Sequence, residues 1–164
     1  MAIKEVIKNP ADILNMQTKE VEVINEGIIQ LLDDLYDTMV ENDGVGIAAP
    51  QINVGLRVAI VELGEDILEM INPVVLETGD KVEEDVEGCL SFPDLFGLVK
   101  RPTYVKIEAA DREGRIYELE AEDFEARCIL HEIDHLDGVL FDSKMTRVLT
   151  EKELEELYAD AEEE

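Results

Sequence analysis

Basic residues are scarce in this 164-residue chain: 14 Lys and Arg stand against 41 Asp and Glu, a formal charge of −27. A surface of that sign is repelled by polyanions and has no basic stripe to neutralise phosphates, so direct nucleic-acid binding is not expected. The acid excess reads as a solvated surface or as adaptation to a salty cytoplasm, and it favours a monomer. Trp is absent and aromatics make up only 5% of the chain, so Ile, Val, Leu and Met must fill the core. With 46% apolar residues and this length, one domain spanning 1–164 is expected. No apolar run approaches the roughly 18–20 residues that cross a bilayer. The opening Met1-Ala-Ile-Lys-Glu-Val has no basic stretch leading into an apolar one, so no membrane partner and a cytoplasmic location are expected. There are two cysteines, Cys89 and Cys128. A disulfide is not expected in a reducing compartment, so each needs its own explanation.

No repeat and no Ser/Gly linker divides the sequence. Residues 1–24 read as an irregular arm. From Asn25 to about Val40, Ile28, Leu31, Leu32, Leu35 and Met39 fall on one helical stripe. A small-residue loop, Asp43 to Gln51, follows. Residues 57–110 read mostly as β-structure: Arg57–Glu62 is one strand, Ile67–Leu76 is interrupted at Asn72-Pro73, and Tyr104–Ala110 alternates. Asp111-Arg-Glu-Gly114 predicts a hairpin turn into Arg115–Glu120. A second helix is expected from about Asp123 to Leu136, stopped by Gly138. An acidic last helix runs from Thr150 to about Ala161, and the acidic residues up to Glu164 would weaken its end. Strands followed by helices, without βαβ alternation, predict an α+β fold.

The chain has only two histidines, and both sit in His131-Glu-Ile-Asp-His135. Residues four apart share a helix face, so two imidazoles can grip one metal ion with Glu132 beside them to act on a bound water. At about 100° per residue, Phe124, Cys128, His131 and His135 cluster within roughly 60°, which extends the ligand face into an apolar strip suited to an apolar side chain. Alone, the pattern favours the metal reading, with surface or packed-core histidines as the alternative. A catalytic zinc-like site uses three protein ligands and keeps one position open. Glu87-Gly-Cys-Leu-Ser91 offers the third: Gly88 permits close approach and Cys89 supplies a thiolate once metal holds it deprotonated. A lone cysteine is more often a small buried hydrophobe.

These two segments, together with Gly44-Val-Gly-Ile-Ala-Ala-Pro-Gln51, resemble the three signature motifs of the peptide deformylases, in the same order along the chain. The resemblance runs from about Asp34 to Asp142 and includes Asn72-Pro73, Arg101-Pro102 and His135-Leu-Asp-Gly-Val-Leu-Phe141. It implies antiparallel sheets packed around a central helix that carries the histidines, an N-terminal helix and a C-terminal one. It implies a metal-dependent hydrolase that removes the formyl group from the N-terminal formyl-methionine of new polypeptides and releases formate.

By that resemblance Cys89, His131 and His135 bind one divalent ion, usually Fe²⁺, with Zn²⁺, Ni²⁺ or Co²⁺ able to replace it, and water takes the fourth position. Glu132 is the general base. Gln51 and the backbone N–H of Leu90 stabilise the developing oxyanion. Gly44, Val45, Gly46 and the Gly88–Leu90 segment receive the substrate backbone, and the methionine side chain rests on Val45, Phe124, Cys128 and His131. For Cys128 simple core packing is as good a reading, and for Gly44 and Gly46 an ordinary turn is the alternative. Glu87 and Arg101 form a salt bridge bracing the cysteine segment.

The chain departs from the family at Leu130, where Gln is common, and at Asn15, where many members have Arg. The segment Thr150–Glu164 carries eight acidic residues and one Lys, so docking on ribosomal RNA through a basic C-terminal helix is not expected. A small zincin-type metallopeptidase would share His131, Glu132 and His135 but not the Gln51 and Cys89 segments. A non-catalytic metal module would close all four positions and leave Glu132 without a purpose.

Overall fold

Strand β2 (Val58–Leu63) alternates between two cores in the computed structural model: Val58 and Ile60 pack with one helix, Ala59 and Val61 with another. The structure describes residues 3–163, with side chains through Leu157. Met1, Ala2 and Glu164, on which parts of the leader and tail expectations fall, lie outside the described residues.

The first helix, α1 (Glu26–Glu41), begins where expected because the Asn25 side chain accepts the Ile28 N–H, a side-chain cap for an otherwise orphan donor. Its stripe of Ile28, Leu31, Leu32, Leu35 and Met39 is buried against Ile47, Val58, Ile60 and Ile71. The segment read as a loop is more ordered than expected. Gly46–Ala48 forms β1, an edge strand antiparallel to β2, and Ala49–Ile52 closes into a 3-10 turn. Small residues hide the strand period here because Ala48 must fit against the second helix.

Strand β3 (Asp66–Thr78) continues through the expected interruption, which becomes a bulge: register shifts between Ile71 and Val74, and Asn72 has φ +53°. Bulges place an unpaired residue where it can reach elsewhere; here the Asn72 amide exchanges two hydrogen bonds with Val21 of the N-terminal arm. Strands β4 (Val82–Cys89) and β5 (Phe92–Pro102) form a hairpin, so Cys89 ends a strand instead of lying in a loop. β6 (Tyr104–Ala110) and β7 (Ile116–Glu122) follow, joined through the expected turn, where the Asp111 side chain accepts the N–H groups of Glu113 and Arg115.

Helix α2 (Asp123–Leu136) ends as Gly138 predicts. Gly138 has φ +74°, its N–H donates to His135 and the next N–H, of Val139, to Asp134, the paired bonds of a Schellman stop. A short strand the sequence reading did not contain, β8 (Met145–Val148), joins β5, and α3 (Glu151–Glu163) follows.

The strands form two antiparallel sheets, β1-β2-β3-β6-β7 and β4-β5-β8. α1 covers one face of the larger sheet. The other face packs on Ala126, Ile129, Ile133 and Leu136 of α2. A third cluster of Leu14, Phe92, Val99, Leu140 and Phe141 forms under the smaller sheet, with Cys89 at its margin. The expected α+β architecture around a central histidine helix is what the chain adopts.

Candidate active site

One turn of α2 sets His131 and His135 with ring centroids 5.1 Å apart. The end of β4 brings Cys89 Sγ to 3.1 Å from His135 Nε2. One ligand atom from each of Cys89, His131 and His135 lies within 4.8 Å of the others. Glu87 Oε1 sits 2.9 Å from His131 Nδ1, which leaves Nε2 as the ring's ligand atom, the carboxylate–histidine pattern that orients metal ligands. Burial, then the nearby charges of His131 and Arg101, hold His135 well below its ordinary pKa, the neutral form that ligates metals. Thiolate and imidazole donors at this spacing fit a divalent ion. The two cysteines are both free thiols, as expected.

Glu132 is buried, and burial pushes its carboxyl up to about 7. Its Oε1 is buried without a hydrogen-bond partner among the described residues, so the fold leaves an unsatisfied acceptor where a reacting water or substrate would satisfy it. Gly46 explains how that carboxylate fits. A Cβ built there would lie 2.6 Å from Glu132 Oε2 and 3.2 Å from its Cδ. Gly46, expected to admit substrate, also leaves the space that the side chain of Glu132 occupies. Gly46→Ala should therefore retain metal but lower kcat by about 10²-fold, the scale of a 1 Å misplacement; steady-state kinetics with metal analysis checks it. Gly88 is similar, since a Cβ there would meet the ring of Phe96 at 2.6 Å.

Gln51 is almost fully buried. Its Oε1 accepts the Ala48 N–H at 2.9 Å, which turns Nε2 toward Ser91 Oγ at 3.1 Å and Cys89 Sγ at 3.5 Å. The donor end of the amide thus faces the Cys89 sulfur.

The expected Glu87–Arg101 bridge is one part of a larger buried network. Arg101 grips Glu87 through Nε at 2.5 Å and Nη2 at 2.9 Å, and reaches Asp134 Oδ2 at 2.8 Å. Arg127 adds a bond to Glu87 Oε2 at 2.7 Å and anchors to the Val99 and Glu83 carbonyls. Burial would raise the Glu87 pKa, but the bonds to His131 and Arg101 outweigh it and hold the carboxyl at about 2.

A cavity of about 620 Å³ opens beside these groups. Gly44, Val45, Gly46, Glu87, Gly88, Cys89, Leu90, Phe124, Cys128, His131 and Glu132 all line it, while Gln51, His135 and Arg101 do not. Phe124 is 58% exposed at its mouth. Burial pushes the Cys128 thiol up to about 12, so it is a neutral wall. Four contributors escaped the sequence reading: Arg127, Asp134, Ser91 and Phe141, whose ring lies 5.7 Å from that of His131. Arg127 was findable, because it sits one helical turn before His131 on the ligand face. Of the two departures, Leu130 packs at the edge of the α2 core, and the Asn15 amide bonds the Ala11 carbonyl.

A Cys-His-His cluster beside a buried carboxylate on the same helix, opening on a pocket, defines a metal-dependent hydrolase. Comparison with known proteins narrows this. The polypeptide deformylase family model matches residues 3–151, and the chain belongs to the peptide deformylase family. Peptide deformylase 1 of Bacillus subtilis (strain 168) is 47% identical over 159 residues, covering 96% of this chain and 99% of the relative. The crystal structure of peptide deformylase from Thermotoga maritima superposes with a TM-score of 0.87 at 32% identity, covering 89% of this chain and 99% of the other. A class I type b peptide deformylase from Acinetobacter baumannii, in a Met-Ala-Ser-bound crystal structure, gives a TM-score of 0.83 at 35% identity, covering 88% and 99%. The enzyme is a hydrolase that removes formyl groups from nascent polypeptides, and the small-metallopeptidase alternative is not favoured. No described helix is long and apolar enough to cross a membrane.

Proposed function

We propose that Cys89, His131 and His135 hold one divalent ion, Fe²⁺ with Zn²⁺, Ni²⁺ or Co²⁺ as substitutes, and that Glu132 moves the proton during deformylation. The observation that carries this reading is the meeting of the three ligand atoms within 4.8 Å beside the unpartnered Glu132 Oε1. An ion bound there supplies Lewis acidity and a nucleophile from water near neutral pH. The chain's own residues do the rest. Glu132, with its carboxyl at about 7, is matched to accept a proton from the attacking water and return it to the leaving amine. Attack on the formyl carbon builds negative charge on its oxygen, and the Leu90 N–H and Gln51 Nε2, which here faces Cys89 Sγ and Ser91 Oγ, donate to it.

The methionine side chain lies along Val45, Phe124, Cys128 and His131, and its backbone along Gly44–Gly46 and Gly88–Leu90. The position of these residues around one cavity supports that placement, and binding of a Met-initiated peptide, Met-Ala-Ser, by the Acinetobacter relative agrees with the substrate class. The enzyme works as a cytoplasmic monomer on single domain 1–164, and its acidic tail makes no contact with nucleic acid. The test is formate release from formyl-Met-Ala by anaerobically purified protein, with metal content assayed in parallel. Cys89→Ser should lower metal affinity by tenfold or more, since a hydroxyl is a poor anionic ligand. Full metal occupancy in that variant under chelator challenge would remove Cys89 from the ligand set.

A further inference from the structure

The N-terminal arm, read from sequence as irregular, touches all three motif segments through its backbone. The Ile7 N–H donates to the carbonyl of Gln51 at 2.7 Å. The Asn9 N–H donates to Ser91, two residues past Cys89, at 2.8 Å. Thr18 gives both its N–H, at 2.9 Å, and its Oγ1, at 2.8 Å, to the carbonyl of Leu136, the residue after His135. Leu136 is the last residue of α2, so its carbonyl has no partner within the helix, and Thr18 satisfies it. Between these contacts Ile7 and the fully buried Leu14 pack into the cluster that holds Phe92, Phe141 and Cys89.

We propose that the arm from Ile7 to Thr18 is a three-point clasp that sets the metal site, with Ile7, Asn9 and Thr18 as positioning residues. The inference rests on the assignment of Cys89, His131 and His135 as ligands. Those ligands come from a strand end and a helix, and Gln51 from a separate turn. None of these segments is adjacent in the chain, so their mutual placement depends on whatever ties them together. The arm bonds each one at or within two residues of its functional side chain. Three of these four donors are backbone N–H groups, which act with little regard to side chain and so leave no motif; the fourth is the Thr18 hydroxyl.

The experiment uses the full-length protein loaded with Co²⁺, read by its thiolate-to-metal charge-transfer and d–d bands and by the rate of metal loss to a chelator. Thr18→Val removes the Oγ1 bond and keeps the N–H; Ile7→Pro removes the donor to Gln51. Metal loss should quicken about five- to tenfold in Thr18→Val, with altered d–d bands, and Thr18→Ser should restore the parent values. Val105→Ala, a buried change outside the arm, supplies the control for general destabilisation. Thr18→Val losing metal no faster than Val105→Ala, with unchanged bands, overturns the clasp. Failure of Ile7→Pro to fold leaves the Thr18 pair to decide. A parent without a thiolate charge-transfer band would instead overturn the ligand assignment.

Discussion

Glu132→Ala should lower formate release from formyl-Met-Ala by about 10²- to 10⁴-fold, the range lost with a general base, while the purified protein keeps one metal per chain. The two halves of this result have separate causes. In the proposed site the metal would be held by Cys89, His131 and His135, whose ligand atoms converge without the carboxylate. The proton transfer needs an oxygen at the site, and Glu132 carries one that is buried and unpartnered. Burial pushes its carboxyl up to about 7, near neutral pH, where a group can both take and give a proton. Metal analysis and turnover on the same preparation check the claim. Metal-free variant protein would make Glu132 part of the binding set; metal-replete protein with parental turnover would strip it of its role.

Arg101→Ala should destabilise the metal-loaded protein by about 3 kcal/mol, the lower end of the cost of breaking a buried ion pair. The lower end applies because Glu87 retains Arg127 and His131, and Asp134 retains Lys144. What is lost is the two-pronged grip on Glu87 and the tie between β5 and α2. Arg101→Lys should recover little, since an ammonium cannot reproduce the planar fork. The effect should reach the metal as well, with affinity down about tenfold, because Glu87 fixes the His131 ring. Urea unfolding at saturating metal, followed by chelator titration, separates the two. A stability loss under about 1 kcal/mol would place the bridge with ordinary surface pairs.

The parts of this site that were legible in the sequence are those written in local spacing. Asn25 and the Ile28–Met39 stripe announce α1, Gly138 announces the stop of α2, and the four-residue interval puts both histidines on one face. Cys89 was legible only as one candidate for a third ligand, and Gln51 only through resemblance, because nothing local says that a strand end and a turn will meet that helix. The readings that changed follow the same division. β1 was taken for loop because Gly46 and Ala48 are small for reasons of fit to Glu132 and α2, and small residues carry little strand signal. β8 and the Arg127–Glu87 bond depend on partners some 40 or more residues away, which periodicity does not encode. The arm was the least legible segment, since most of its named bonds come from backbone N–H groups that nearly every residue carries.

The last helix shows what such an architecture leaves unconstrained. Residues 151–157 of α3 are exposed or half-buried, and the described ion pair there, Arg147 with Glu153, sits on the surface. None of them lines the catalytic cavity. Substitutions along this stretch should therefore leave turnover unchanged, so this end of the chain can be recharged or tagged without touching the chemistry.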